Sequence, residues 1–269
     1  MTEIGTIGET IRQLGVPVYS LGMKRTVPSL RAIWDLWRLL RQERPAILET
    51  WLYHADLLGL LVGKAAWNVR CSALEMRHYP RLTGIVFRIL ARLSHLPTAV
   101  VANSLAGRAA HLKAGYHPRR FEVIPNGFEL DTFHPDPTAR TWLESELGIP
   151  RGHSIVGLVA RYDPMKGHGV FLAAAEKVLA RHPETRFVLC GERVSQDNPA
   201  LTAAVRDYGL QHAVHLLGLR RDVAKITAGF DVACSSSLFG EGFQNTVGEA
   251  MACGVPCVVT DVGDSADIV

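Results

Sequence analysis

The feature that most constrains this chain is a repeated alternation of short apolar, strand-like runs with helix-like stretches. The alternation is interrupted once, at residues 126–137, which contain two prolines and the turn-forming pair Asn126-Gly127. Strands and helices that alternate at these lengths are typical of parallel βα units. The sequence therefore predicts an α/β fold of two Rossmann-like domains that face each other across a cleft, residues 1–132 and 133–269.

The apolar periodicity also predicts the individual elements. In the first domain we expect strands at 16–20, 46–52, 71–76, 98–102 and 121–125, and helices at 4–14, 29–44, from 57 to about 67, 83–95 and 105–114. In the second domain we expect strands at 154–161, 186–190, 214–218, 230–237 and 256–260, and helices at 170–181, 201–208 and 223–228.

The charges are divided unevenly between the two halves of the chain. Residues 1–120 carry a net charge of +10 and the remainder carries −7, which suggests two domains with different partners. A basic half suits nucleic acid, anionic lipid or a phosphorylated substrate. Because no nucleic-acid-binding motif accompanies the basic half, we do not expect nucleic acid as a partner.

Cysteine usage and hydropathy indicate the compartment. The five cysteines are odd in number and scattered, which is typical of reduced thiols in a cytosolic protein. The N-terminus has no signal-peptide pattern, and no apolar run reaches the roughly 20 residues that a spanning helix needs. We expect a cytoplasmic protein that at most lies on the inner face of the membrane.

Two carboxylates mark the stretch from Phe239 to Asp261. Glu241 lies between Gly240 and Gly242 just after a predicted strand, and Glu249 follows eight residues later. In an open parallel sheet, ligands bind at loops beyond the carboxyl ends of the strands. Since no metal-ligand spacing surrounds the two glutamates, we expect them to accept hydrogen bonds from hydroxyl groups. For Glu249 an alternative remains open: residues 246–249 also fit a capping box, in which the carboxylate binds the start of its own helix.

Two cations follow the strand predicted at 154–161. Arg161 lies at its end, and Lys166-Gly167 stand where the next helix begins. Cations beside a helix N-terminus suit a phosphate or a pyrophosphate. The alternative is a solvated loop whose charges pair with Asp163.

The first domain offers two histidines and two amphipathic helices. His54 and His78 each follow a predicted strand, so both are candidates to line a cleft, although a lone histidine more often has a packing or surface role. Helix 29–44 places Arg31, Arg38 and Arg41 opposite two tryptophans and could lie on a bilayer surface, as could helix 83–95. The alternative for both is an outer helix that packs its apolar face on the sheet.

Together these motifs resemble the family 4 glycosyltransferases, retaining enzymes of the GT-B architecture that use nucleotide-sugar donors. Glu241 and Glu249, seven residues between them, lie in the family's most specific motif. Residues 123–135 look like its interdomain segment, Arg161 with Lys166-Gly167 like its pyrophosphate-binding pair, and residues 51–56 like its histidine-bearing acceptor segment. The resemblance runs through most of the chain.

The resemblance implies a role for each matching residue. Arg161 and Lys166 would stabilise the donor diphosphate. Glu241 would contact the donor sugar, and Glu249 the nucleotide ribose. His54 or His78 would face the reacting centre. The other expected donor-binding residues are Gly242, Phe243, Gln244, Asn245, Glu192 and Leu219.

The resemblance also implies the reaction. We expect transfer of a hexose from a nucleotide diphosphate sugar to a glycan or lipid-linked acceptor, with retention of configuration and without a bound metal or other cofactor. Compared with the family pattern, the first βα units and the last helices are missing, so we expect both domains to be incomplete. The alternatives are a non-catalytic nucleotide-sugar-binding remnant and, less favoured, a nucleotide-sugar epimerase.

Overall fold

The structure is a computed structural model that describes residues 4–23, 29–63, 65–72 and 81–269. The chain divides into two compact units. Unit 1 comprises Met1–Val69, Tyr79–Val101 and Ala114–Glu122, and unit 2 comprises Arg70–His78, Ala102–Lys113 and Val123–Val269. The chain therefore passes between the units several times.

A four-stranded sheet organises the first part of the chain. Its strands are β1 (Glu49–Trp51), β2 (Ala66–Val69), β3 (Ala99–Ala102) and β4 (Phe121–Val123), in the order β1-β2-β3-β4. The helices of unit 1 are α1 (Thr6–Gln13), α2 (Leu30–Glu43), α3 (Tyr53–Val62) and α4 (Arg81–Leu93).

Aromatic side chains form much of the core of unit 1. Trp67 of β2 is fully buried, and its ring lies 6.3 Å from that of Tyr116. Phe87 of α4 lies between Tyr116 and Tyr53 of α3, with ring centroids 5.3 and 5.1 Å away. Edge and tilted contacts of this kind add to the free energy gained by burial, so they fix α3 and α4 against the sheet.

Unit 2 contains a five-stranded sheet in the order β7-β6-β5-β8-β9, in which every neighbouring pair is parallel. Its strands are β5 (Ile155–Val159), β6 (Arg186–Cys190), β7 (Val214–Leu216), β8 (Val232–Ser235) and β9 (Cys257–Val259). Its helices are α5 (Leu105–Lys113), α6 (Ala139–Leu147), α7 (His168–Leu179), α8 (Pro199–Asp207), α9 (Val223–Ala228), α10 (Asn245–Ala252) and α11 (Ser265–Ile268).

Helices cover both faces of this second sheet. Along β6, Phe187 and Leu189 pack with the residues of α7 and α8, whereas Val188 and Cys190 pack with those of α6, α9 and α10. A strand that is buried on both faces needs a nearly continuous apolar sequence, which explains the run Phe187–Cys190. Unit 2 is therefore a doubly wound, Rossmann-like domain.

Several element predictions differ from the structure. Residues 16–20 form no strand: Pro17 has no N–H to donate to a sheet. The helix predicted to reach Trp67 ends at Val62, because Trp67 belongs to β2. Most of the strand predicted at 71–76 falls outside the described residues. Helix α6 was not predicted. The domain boundary after residue 132 stays a prediction.

Candidate active site

The carboxyl ends of β5 and β8 define the candidate site. From β5 the chain continues to β6 on one side, and it later places β8 on the other, so β5 and β8 flank the topological switch point of the sheet. Ligands of open parallel sheets bind at such a point. Arg161 lies two residues beyond β5, and Ser236 follows β8 directly. The loops after these strands thus carry three of the predicted site residues, Arg161, Lys166 and Glu241.

A short 3₁₀ turn at Pro164–Lys166 brings a cation to this point. The side chain of Asp163 caps the turn, and Gly167 ends it with a φ of 61°. Nζ of Lys166 lies 2.5 Å from Oε1 of Glu241, which reaches the same point from the loop after β8. The structure thus joins two predicted site residues in one ion pair.

Glu241 is buried, at 7% exposure, and its carboxylate is paired. Its Oε1 accepts a second hydrogen bond, from Oγ of Ser237 at 2.7 Å. The side chains of Lys166 and Glu241 are only 20% and 9% exposed, so both are largely enclosed by the protein. A buried carboxylate needs such donors because its desolvation is costly.

The main chain around Glu241 is also held in place. Its carbonyl oxygen accepts hydrogen bonds from the amide, at 3.0 Å, and from the hydroxyl of Ser72. A Cβ atom on Gly242 would lie 2.4 Å from Oδ1 of Asn103 and 3.0 Å from Oγ of Ser104. A larger residue here would force the side chain of Asn103 to move, and the loop is held through both the side chain and the carbonyl oxygen of Glu241.

Arg161 differs from Lys166 in its surroundings. Its side chain is 54% exposed, and its Nε lies 3.4 Å from Oδ2 of Asp163. The alternative of pairing with Asp163 is thus correct for Arg161, while Lys166 pairs with Glu241 instead. An exposed pair of this kind is weak, so Arg161 remains available to an anionic ligand.

Glu249 lies in α10 and is half-buried. Among the described residues its carboxylate makes no hydrogen bond or ion pair, and burial raises its pKa. The helix begins at Asn245 after Gln244, whose side chain makes no capping bond, so Thr246 lies inside the helix. The capping-box alternative was therefore wrong, and Glu249 is left with unused hydrogen-bonding capacity.

The residues between the two glutamates were predicted to bind the donor. Gln244 is 3% exposed, and both polar atoms of its side chain lack a partner among the described residues. The ring of Phe243 lies 5.7 Å from that of Phe128. Oδ1 of Asn245 accepts a hydrogen bond from Asn126 at 2.5 Å. Buried polar groups without partners are rare, so Gln244 is the member of this set that most needs a ligand.

Two further predicted residues lie beyond β6 and β7. The amide of Gly191 donates to the carbonyl of Gly218 at 2.9 Å, which joins the two loops. Glu192 and Leu219 are the next residues of these loops, and both are exposed. The structure thus places Glu192 and Leu219 in neighbouring loops at the carboxyl ends of β6 and β7.

In unit 1, His54 is exposed in the first turn of α3. His78 lies outside the described residues. Sequence analysis assigned no role to Asp56, which is fully buried: its Oδ1 accepts a hydrogen bond from Thr50 at 2.6 Å, and its Oδ2 has no partner in the described part of the chain. Burial raises the pKa of Asp56 to about 7.

Sequence reasoning also missed Ser237 and Ser72, the two serines that hold Glu241. Ser237 ends a run of three serines at the close of β8, and polar residues at the end of a buried strand were a usable signal. Ser72 is 169 positions from Glu241 in the sequence, and no local pattern indicates that contact.

Two family models match this chain. Residues 5–132 match the model described as Glycosyltransferase Family 4, and residues 153–269 match that described as Glycosyl transferases group 1. Between them they leave out only residues 1–4 and 133–152. The chain belongs to the family 4 glycosyltransferases.

Several curated relatives of this family 4 chain are named as glycosyltransferases. It is 24% identical to the UDP-Gal:alpha-D-GlcNAc-diphosphoundecaprenol alpha-1,3-galactosyltransferase of Escherichia coli, over 95% of this chain and 68% of that enzyme. It is 29% identical to a D-inositol 3-phosphate glycosyltransferase of Segniliparus rotundus, over 61% of this chain but only 37% of that enzyme. The chain thus spans between about a third and two thirds of the relatives' lengths.

Solved structures share the fold. HepE of Anabaena in complex with UDP-glucose superposes with a TM-score of 0.83 at 21% identity, over 98% of this chain and 72% of HepE. WaaG, a glycosyltransferase involved in lipopolysaccharide biosynthesis, gives 0.66 at 16% identity, over 91% and 70%. The predicted fold class, GT-B with two Rossmann-like domains, is confirmed.

The described parts of this family 4 chain contain no group of three or more His, Cys, Asp or Glu residues arranged to hold a metal ion. Within the same residues, no helix combines the length and the apolar character needed to cross a bilayer.

Proposed function

We propose that this chain transfers a hexose from a nucleotide diphosphate sugar to a glycan or lipid-linked acceptor, with retention of the anomeric configuration. The observation that carries the proposal is the cluster of Lys166, Ser237 and Glu241 at the switch point between β5 and β8. Two similar proteins support a nucleotide diphosphate sugar as the donor: the Escherichia coli relative uses UDP-galactose, and HepE was crystallised with UDP-glucose.

The proposed chemistry follows from the charges. When the bond between the anomeric carbon and the diphosphate oxygen breaks, negative charge develops on the leaving nucleoside diphosphate. Arg161 and Lys166 stabilise that charge, which is the electrostatic share of catalysis. Glu241 accepts a hydrogen bond from the donor sugar. We propose that no resident metal ion takes part.

The remaining predicted residues bind the rest of the donor. Glu249 accepts hydrogen bonds from the ribose, a role supported by its unpaired, half-buried carboxylate. Gln244, with the backbone N–H groups of Gly242 and Phe243, binds the sugar or a phosphate. Asn245 contributes to the same loop, and Glu192 and Leu219 lie beside the base. His54 or His78 acts at the reacting centre, and loss of turnover in H54A with unchanged donor affinity tests that role.

A membrane surface is the proposed location of the acceptor. In α2, Trp34 and Trp37 are 55% and 39% exposed, and the guanidinium groups of Arg38 and Arg41 lie over these rings rather than opposite them. Exposed tryptophans beside arginines suit the headgroup region of an anionic bilayer. By contrast, α4 buries Phe87 and Leu90 and packs as an ordinary outer helix.

The location has its own test. Vesicles of anionic lipid should sediment the chain more strongly than neutral vesicles, and a W34A/W37A variant should lose the difference. Equal sedimentation with both vesicles would remove the membrane from this proposal. The expected cytoplasmic location stays part of it.

The experiment for the function is release of nucleoside diphosphate from a panel of UDP-, GDP- and ADP-sugars. We expect turnover with at least one of them, and a loss of about ten-fold or more in E241A and in K166A, because oriented charge contacts contribute about 2–4 kcal/mol to transition-state stabilisation. Tight donor binding without turnover would favour the non-catalytic alternative. No binding to any sugar nucleotide would exclude the proposal.

A further inference from the structure

Ser237 is a buried group to which the proposed chemistry assigns no role. Its side chain is 1% exposed, and its hydroxyl donates to Oε1 of Glu241 at 2.7 Å. Lys166 donates to the same oxygen at 2.5 Å. In the described residues Oε2 of Glu241 accepts no hydrogen bond. One oxygen of the carboxylate is therefore held by the protein, and the other is left for a ligand.

The backbone around Ser237 is fixed from two sides. Thr260, just beyond β9, donates its hydroxyl to the carbonyl of Ser237 at 2.5 Å. On the other side, the carbonyl of Ser236 lies 2.0 Å from where a Cβ atom on Gly167 would be. The amide of Leu238 donates to the carbonyl of Met165 at 2.8 Å. Ser237 therefore belongs to a segment that is held in place between the end of β9 and the turn that carries Lys166.

The two hydrogen-bond donors to Glu241, Lys166 and Ser237, respond differently to a bound nucleotide sugar. Lys166 is a cation on a flexible stem, and a diphosphate competes with Glu241 for its ammonium group. The hydroxyl of Ser237 is neutral and lies on clamped backbone, so an anionic ligand attracts it much less. When Lys166 turns towards the diphosphate, Ser237 is the donor that remains on the carboxylate.

We propose that Ser237 is a positioning residue: it holds one oxygen of Glu241 so that the other is presented to a hydroxyl group of the donor sugar. The proposal rests on the proposed function, because it assigns the free oxygen to the sugar of a nucleotide sugar. It predicts that Ser237 affects recognition of the sugar and leaves recognition of the nucleoside diphosphate unchanged.

The test compares two ligands by calorimetry on the full chain. UDP-glucose or UDP-galactose, whichever binds the wild type more tightly, is compared with UDP. In S237A we expect the affinity for the UDP-sugar to fall by about ten-fold relative to that for UDP, as for loss of a hydrogen bond to a charged group. T202V, which removes a hydroxyl from α8, is the matched control and should leave the ratio unchanged.

A double-mutant cycle shows whether Ser237 acts through Glu241. In the E241A background, S237A should cause no further loss of the UDP-sugar affinity. A full additional loss there, or equal losses for the UDP-sugar and UDP in S237A, would overturn the positioning role and leave the proposed function intact. If the wild type binds neither UDP-sugar nor any other sugar nucleotide, the proposed function and this inference fail together.

Discussion

The loop that carries Glu241 and the helix that carries Glu249 lie next to each other in the sequence, but the surroundings of the two carboxylates are opposite. Glu241 is nearly buried and accepts hydrogen bonds from Lys166 and Ser237. Glu249 is half-buried in α10, and no described residue donates to its carboxylate. One charge is stabilised by the protein itself, whereas the other is left with its burial uncompensated. The two glutamates of one motif therefore differ in what they contribute to the fold.

The largest expected effect on stability concerns Glu241, the paired carboxylate. In K166M, Glu241 keeps its burial but loses its cation, so the free energy of unfolding should fall by about 3 kcal/mol. Urea denaturation measures the change. The control is R161M, which breaks an exposed pair with Asp163 and should cost less than about 1 kcal/mol. Equal losses in the two variants would show that Glu241 does not depend on Lys166.

Asp56 is an intermediate case, with one oxygen paired and the other unpaired. Burial raises its pKa from an ordinary value of 3.8 to about 7 in the folded protein. The folded state therefore binds the proton more tightly than the unfolded chain, and stability falls as the pH rises from about 4 to 7. Above pH 7 the loss is complete.

The D56N variant removes that ionisation and keeps an acceptor for Thr50. At pH 8 its free energy of unfolding should exceed that of the wild type by on the order of 2 kcal/mol. At pH 4, where Asp56 is protonated in the fold, the two proteins should differ little. Urea denaturation of both proteins at pH 4 and pH 8 measures the difference. A D56N variant that is less stable than the wild type at pH 8 would contradict the raised pKa of Asp56.

The smallest effect on stability is expected for Glu249, the unpaired carboxylate. Because burial raises the pKa of Glu249, ionisation at neutral pH opposes folding, and stability is reduced as the pH rises above the usual glutamate range. E249Q should therefore unfold at the same or a slightly higher temperature at pH 7, while its affinity for UDP falls. The exposed Glu176, changed to Gln, serves as a control for the loss of one charge. Destabilisation by more than about 1 kcal/mol would mean that Glu249 has a structural partner.

The sequence allowed the order of elements in unit 2 to be predicted because its strands are continuous apolar runs between helices of ordinary length. The strand at Arg186–Cys190 and the helix at Val223–Ala228 were predicted with their observed bounds. Helix α6 was missed because it directly follows residues 126–137, the proline-containing segment that interrupts the alternation of strands and helices. In unit 1, β2 was missed because the predicted helix was extended to Trp67, a residue that suits a helix as well as a strand.

For the candidate site, the positions of charges could be predicted and their partners could not. Arg161, Lys166 and Glu241 were expected at strand ends, and the topology brings these ends together. The pairing of Lys166 with Glu241 depends on the direction in which a three-residue turn projects its last side chain. Periodicity contains no information on that direction. The roles of these residues in binding and catalysis remain predictions.

The contact between Ser72 and Glu241 has a consequence for how the chain folds. It joins positions 169 residues apart within unit 2, and loops of that length close slowly because much chain entropy is lost before any contact forms. We expect the Glu241 loop to acquire its final conformation late, after the local βα units have formed. Pulse-labelled hydrogen exchange can follow the amide of Ser72, and protection of that amide as early as the amides of β5 and β6 would contradict this order.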